Sequence, residues 1–192
     1  MNRVLWIRHG TSLDGLCRPH AHARPETPLT LRGVAEIATA ARDLRDRNIR
    51  PDLILTSPLP RATTSAAILA EILGATLAPP DPLYAEWRAP DCVLGIGQDD
   101  YPREYQAWRD ERFRHPESAL PGGESLAALQ RRARSAASLS QDQTGPHSLT
   151  LIVSHRVFIG AVAASATDAR SPQGTFRTAR NFSLGPAAIW PL

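Results

Sequence analysis

Lysine is absent from this chain of 192 residues: all 22 basic residues are arginine. A Walker-type phosphate loop needs its Lys, a protein kinase its strand Lys, and a Schiff-base enzyme a Lys amine. Three large classes of chemistry are excluded together. Cysteine is scarce too. Cys17 and Cys92 stand in loop-like stretches and read as two reduced thiols without a role, with no metal-site spacing between them. No apolar run approaches the length of a membrane span. The first eight residues read as a strand running into polar residues, with no apolar signal core or cleavage site, and the expected location is the cytoplasm. Repeats and low-complexity tracts are lacking as well.

What is present suits a globular protein. Hydrophobic residues make up 42% and charged residues 21% of the chain, enough for one domain over 1–192 with its own core. The formal net charge is +3, with arginines dispersed among Asp and Glu. Only Arg131-Arg132-Ala133-Arg134 approaches a nucleic-acid footprint, and such a run on a helix reads as a solvated face. Guanidinium groups fork onto phosphate or carboxylate oxygens.

Apolar runs at Val4–Ile7, Leu53–Leu55 and Leu149–Val153 read as buried strands. Helical spacing groups Val34, Ile37, Ala38, Ala41 and Leu44 behind a Thr30 cap. A second helix, opened by Pro58 or Pro60, carries Ala62, Ala66, Leu69, Ala70 and Leu73 and stops at Gly74. Further helices are expected from Pro102 through Phe113, after Pro121-Gly122-Gly123 with Leu126, Leu129, Ala133 and Ala136 on one side, and from about Val157 to Ser165. Residues 11–28 read as a loop, 78–100 as irregular, and Asn181–Trp190 as a hairpin turning at Gly185-Pro186. Strands alternating with helices predict a three-layer α/β/α sandwich with a largely parallel sheet.

The three strands end in chemistry. The first runs into Arg8-His9-Gly10-Thr11, the second into Ser57-Pro58-Leu59-Pro60-Arg61, the third into Ser154-His155-Arg156. Ligands of open α/β sheets bind at the carboxyl ends of the strands. If the three are neighbours, two His and at least two Arg converge on one crevice suited to phosphate. Arg8 and Arg61 would fork onto the phosphoryl oxygens, and the helix after Ser57 would offer its N-terminal amides. His9 would be the nucleophile and His155 a phosphate ligand. Gly10 would let the backbone approach the phosphoryl group.

These residues resemble the histidine phosphatase superfamily, the phosphoglycerate mutase-like family, over nearly the whole chain. Leu5-Trp6-Ile7-Arg8-His9-Gly10-Thr11 is similar to its signature strand. Pro28-Leu29-Thr30-Leu31-Arg32-Gly33 resembles its first helix start, and Thr56-Ser57-Pro58-Leu59-Pro60-Arg61-Ala62 its Ser-Pro-Leu-x-Arg-Ala element. Pro121-Gly122-Gly123-Glu124-Ser125 and Val153-Ser154-His155 resemble its Gly-Glu-Ser and second-histidine motifs. The resemblance implies a phosphohistidine at His9, a pocket of Arg8, Arg61 and His155, and Glu86 as general acid. Glu86 lies between Leu83 and Trp87 in sequence, an apolar setting that would raise its pKa. Thr11 and Ser57 are further phosphate-binding candidates, and Glu124 is expected to cap its helix. The pattern departs from the family at Arg156, where Gly is usual, and at Asp14-Gly15, where many members carry Asn. Arg156 either turns into the crevice toward a second anionic group or pairs with a surface carboxylate.

The expected chemistry needs no metal and no cofactor. His20, His22, His115 and His147 read as solvated surface residues. The leading expectation is a phosphomonoester hydrolase acting on a small phosphate ester, without nucleic-acid or membrane partners; the oligomeric state stays open. Residues from about 86 to 120 would form a lid, with Trp87, Arg88, Tyr101, Tyr105 and Arg109 placed to touch the leaving group. A mutase and a non-catalytic phosphate-binding module are the alternatives.

Overall fold

The computed structural model describes residues 3–17, 21–142, 148–166 and 171–191. Five strands form one sheet in the order β3-β2-β4-β1-β5. β1 (Arg3–Arg8), β2 (Leu53–Thr56), β3 (Thr76–Leu77) and β4 (Leu149–Ser154) run parallel, and β5 (Ile189–Pro191) returns antiparallel beside β1. The three strands that end in chemistry are therefore the three adjacent central strands.

Side-chain alternation along these strands divides the core into two layers. Val4, Trp6, Leu55 and Ile152 face one side, where they meet Phe158, Leu126, Leu129 and Phe176. Ile7, Ile54, Leu151 and Val153 face the other, against Ile37, Ala41, Ala66 and Leu69. The second layer is α2 (Leu31–Asp46) and α3 (Pro60–Leu73); the first is α5 (Leu126–Asp142), α6 (Arg156–Ala166) and α7 (Pro172–Asn181). This is the expected α/β/α sandwich. Among the described residues no helix is long and apolar enough to cross a membrane.

Local chemistry explains the element ends. Thr30 Oγ1 accepts from Gly33 N and caps α2. Pro60 opens α3, and Gly74, at φ 68°, closes it in the left-handed conformation. The inward face of α2 is Gly33, Ile37, Ala41 and Leu44, whereas Val34 is exposed. The 11–28 stretch is not all loop: it contains α1 (Leu13–Cys17), and Ser12 bridges Leu29. Residues 78–100 hold three single-turn 3-10 helices, followed by α4 (Arg103–Glu111).

The expected C-terminal hairpin is corrected. A turn does close at Gly185, whose carbonyl accepts from Ala188 N. The segment before it is the end of α7 and an unpaired run, because arginines take its carbonyls. Arg156 Nη1 donates to Arg180 O and Phe182 O, and Arg8 Nη1 to Leu184 O. The outgoing arm, β5, pairs with β1 instead.

Candidate active site

β1 and β4 pair in register from Arg3 with Leu149 to Arg8 with Ser154, so His9 and His155 follow side by side. Their ring centroids are 4.9 Å apart. His9 is buried, and its Nδ1 lies 2.6 Å from Gly10 O. A carbonyl only accepts, so Nδ1 carries the proton and Nε2 the lone pair. Burial first, then the neighbouring Arg61, pushes the His9 pKa down to about 3. At neutral pH the ring is uncharged and chemically able to act as a nucleophile.

His155 is fully buried, with Nε2 2.8 Å from Ser57 Oγ. Burial, reinforced by His9 and Arg61, holds it well below the ordinary histidine range. Its Nδ1 is buried without a hydrogen-bond partner, as is Arg8 Nε. Arg61 is buried, with Nη1 donating to Arg24 O and Pro25 O. Burial pulls both Arg8 and Arg61 below the ordinary guanidinium value, but a guanidinium stays charged. A buried Arg61, a half-buried Arg8 and unpartnered donors around one neutral imidazole are suited to hold an anion.

Glu86 joins them across the cleft. Its Oε1 accepts from Trp87 N at 2.9 Å and Phe158 N at 2.9 Å, and its Oε2 from Val157 N at 3.3 Å. The carboxylate thus rests on the first amides of α6 rather than among the apolar side chains of its sequence neighbours. Arg8, His9, Arg61, Glu86 and Arg156 all line one open cleft of about 1070 Å³. Trp87, Arg88, Tyr101, Tyr105 and Arg109 line the same cleft.

Three candidates have other work. Thr11 N and Oγ1 both donate to Glu36, on α2, so its hydroxyl is committed away from the cleft. Gly10 is needed for a different contact: a Cβ there would collide with the Gly33 carbonyl, and one at Gly33 with Thr11 O. The backbones after β1 and at the start of α2 touch. The buried Ser57 holds His155 and accepts from Leu59 N. Asp14, at one departure from the family pattern, is structural. It accepts from Arg24 N, the Arg24 guanidinium and Thr27 Oγ1, and these bonds, the guanidinium's above all, hold its pKa below the usual carboxylate range.

Other expectations need revision. Glu124 does not cap α5; Ser125 Oγ does, accepting from Ala128 N. Glu124 is buried against Arg132 at 2.7 Å. Arg132 is therefore not part of a solvated face, although Arg131 and Arg134 are exposed. His22 is not a solvated loop residue. It packs among Trp87, Tyr101 and Tyr105, and burial, with Arg112 and Arg180 nearby, pushes its pKa down to about 4. His115 is exposed; His20 and His147 lie outside the described residues. Arg156 contacts backbone carbonyls, not a carboxylate. Sequence reasoning missed Glu36, Arg112 and Arg132, whose roles depend on distant partners. Among the described residues there is no group of three or more His, Cys, Asp or Glu able to hold a metal ion.

The chain is 29% identical over 166 residues to a probable phosphoglycerate mutase GpmB of Yersinia enterocolitica, covering 86% of this chain and 74% of that protein. It is 30% identical over 128 residues to a 2,3-bisphosphoglycerate-dependent phosphoglycerate mutase of a Chelativorans species, covering 64% of this chain and 60% of that protein. In fold it is similar to mycobacterial glucosyl-3-phosphoglycerate phosphatase, with a TM-score of 0.75 and 23% identity over 100% of this chain and 91% of that one. The α-ribazole phosphatase of Shigella flexneri has the same TM-score, 0.75, with 24% identity over 98% of this chain and 89% of that one. A family model matches residues 4–187, and the chain belongs to the histidine phosphatase superfamily, branch 1.

Proposed function

We propose that the protein is a phosphomonoester hydrolase that carries the phosphoryl group on His9. The observation that supports this most is the fixed tautomer of His9. Its Nδ1–H is tied to Gly10 O and its Nε2 lone pair is left for phosphorus. Arg8 and Arg61 neutralise the phosphoryl oxygens. Ser57 O–H donates to His155 Nε2, which leaves Nδ1–H as a further phosphate donor.

In the first step His9 Nε2 forms the P–N bond as the ester P–O bond breaks. Glu86 gives its proton to the departing oxygen. Oε2 has the weaker hydrogen bonding of the two oxygens and is the one free to hold that proton. The carboxylate left behind is stabilised by the α6 amides. In the second step Glu86 takes a proton from water, water attacks phosphorus, and the P–N bond breaks to release phosphate and neutral His9. Such transfer relies on positioning and charge stabilisation, which these residues supply. The segment from 86 to 120 acts as the lid over the leaving group.

Rapid quench with labelled substrate tests this reading. The label should be found on a phosphoramidate, labile to acid and stable to base, and His9→Ala should abolish it. Label on Ser57 or Thr11 would sink the mechanism. The named mutase relatives favour a second reading, in which a bound sugar acid rather than water receives the phosphoryl group. Label passing to added phosphoglycerate in preference to water would select it.

A further inference from the structure

The buried carboxylate of Asp14 is costly to keep, and stability alone does not account for it. Asp14 is 6% exposed, whereas the side chain of its partner Arg24 is 47% exposed. Desolvating a carboxylate to pair it with a half-exposed guanidinium gains little, because solvent screens the pair. Yet Asp14 accepts from Arg24 N at 2.9 Å, Arg24 Nε at 3.3 Å, Arg24 Nη2 at 3.1 Å and Thr27 Oγ1 at 2.7 Å. These bonds fix the turn from Arg24 to Thr27, which Thr27 N closes on Arg24 O at 3.2 Å. The end of the same stretch is held against the start of α1, where Leu13 N donates to Pro28 O and Ser12 bridges Leu29.

The turn offers its carbonyls to the active-site cleft. Arg61 Nη1 donates to Arg24 O and to Pro25 O, each at 3.2 Å. Arg61 is 3% exposed, so water is a poor substitute for either bond. Nη1 carries two N–H groups, and two carbonyls take them. The edge formed by Nε and Nη2 is then the one left to fork onto an oxyanion. How that edge is turned depends on where the two carbonyls stand, and Asp14 fixes where they stand. Asp14 also reaches Arg61 through space. Burial pulls the guanidinium below its ordinary value, and the charges of Glu86, Asp14 and Glu26 oppose that pull.

We propose that Asp14 is a positioning residue for Arg61. Through the carbonyls of Arg24 and Pro25 it turns the guanidinium so that Nε and Nη2 face the phosphoryl group. The catalytic meaning of this rests on the hydrolase reading; the orientation of Arg61 does not. Asp14 stands at a departure from the family pattern, and the departure supplies a charged clamp beside a phosphate-pocket arginine.

Arginine side-chain NMR and calorimetric binding of orthovanadate test it. In the wild type a guanidinium held by two carbonyls should give a sharp Nε–H signal, assigned by its loss in Arg61→Lys. Asp14→Ala should broaden that signal and spare the Nε–H of Arg132, which donates to Glu124 and reports an intact fold. It should also weaken vanadate binding about tenfold, the scale of one charged hydrogen bond. Asp14→Asn keeps one acceptor oxygen and should lose less. In the Arg61→Lys background Asp14→Ala should add no further loss, since its effect runs through Arg61. The kcat/KM for phenyl phosphate should fall in step with vanadate affinity. If Asp14→Ala does not fold, Asp14→Asn and Arg24→Ala decide by the same two readouts. A sharp Arg61 signal with wild-type vanadate affinity in the folded variants overturns the proposal. So does an equal loss in the wild-type and Arg61→Lys backgrounds, the mark of a general loosening of the fold. Vanadate that fails to bind the wild type would defeat the hydrolase reading and leave the Nε–H signal to decide the positioning of Arg61.

Discussion

Arg132 donates to both oxygens of Glu124 and to the carbonyls of Leu83, Ala85 and Glu86, with its guanidinium 4.2 Å from the Phe158 ring. One side chain thus sets the backbone from which Glu86 reaches across the cleft. Arg132→Leu should cost about 3–5 kcal/mol, because it strands the buried Glu124 carboxylate. Arg132→Lys keeps the charge but loses the planar fork. Under the proposed role of Glu86 as general acid, it should slow alkyl phosphates while sparing aryl phosphates with acidic phenols, which leave without a proton. Thermal melts and a leaving-group series check both outcomes; equal slowing of the two ester types would show that Arg132 does not position Glu86. The sequence places Arg132 between two exposed arginines, and its carbonyl partners lie up to 49 residues away. No local pattern carries that information. The convergence of His9, Arg8, Arg61 and His155 on one cleft was legible because each ends or directly follows a strand or lies at the opening of the next helix.

At the level of elements, the join between β1 and α2 is tight. Gly10 and the Gly33–Thr11 backbone approach so closely that neither glycine tolerates a Cβ without displacement of main chain. Overpacking costs roughly 1–3 kcal/mol, more where backbone must shift. Gly10→Ala should therefore lower the urea midpoint and, by moving His9, reduce turnover; Gly33→Ala should lower the midpoint in the same way. Wild-type stability in both variants would show that the join is looser than the geometry indicates. Long or strongly apolar elements were readable from periodicity: β1, β2, β4, α2, α3, α5 and α6. Pro102 also marked the start of α4; α1, β3, α7 and β5 were not read, for physical reasons. β3 and β5 have two and three residues, too few for alternation. α7 buries only Thr175, Phe176 and Ala179, and its last carbonyls are claimed by arginines from elsewhere.

Across the whole molecule, neutral histidines are a common feature of the core and cleft. His9 and His22 have folded pKa values of about 3 and about 4, and His155 is also held well below 6.5. Below pH 6.5 the unfolded chain binds protons that the folded chain refuses. Stability is therefore full above 6.5 and falls with acid, until His22 protonates near 4 and His9 near 3. The slope is about 1.4 kcal/mol per pH unit for each such histidine. Urea midpoints should drop steeply between pH 6.5 and 4.5, and His9→Asn should flatten that drop. Identical profiles for the two proteins would exclude His9 as a contributor.

The pairing of β1 with β4 has a consequence for biosynthesis. A chain emerging from the ribosome exposes β1 and His9 long before Leu149, where the parallel strand that pairs with β1 begins. β2 cannot replace it, since β4 lies between the two. The nascent chain must hold Val4–Ile7 without its parallel sheet partner until β4 has been made. Long-range parallel pairing of this kind folds slowly and leaves sticky strands waiting. His9 is thus synthesised long before the strand that brings His155 beside it.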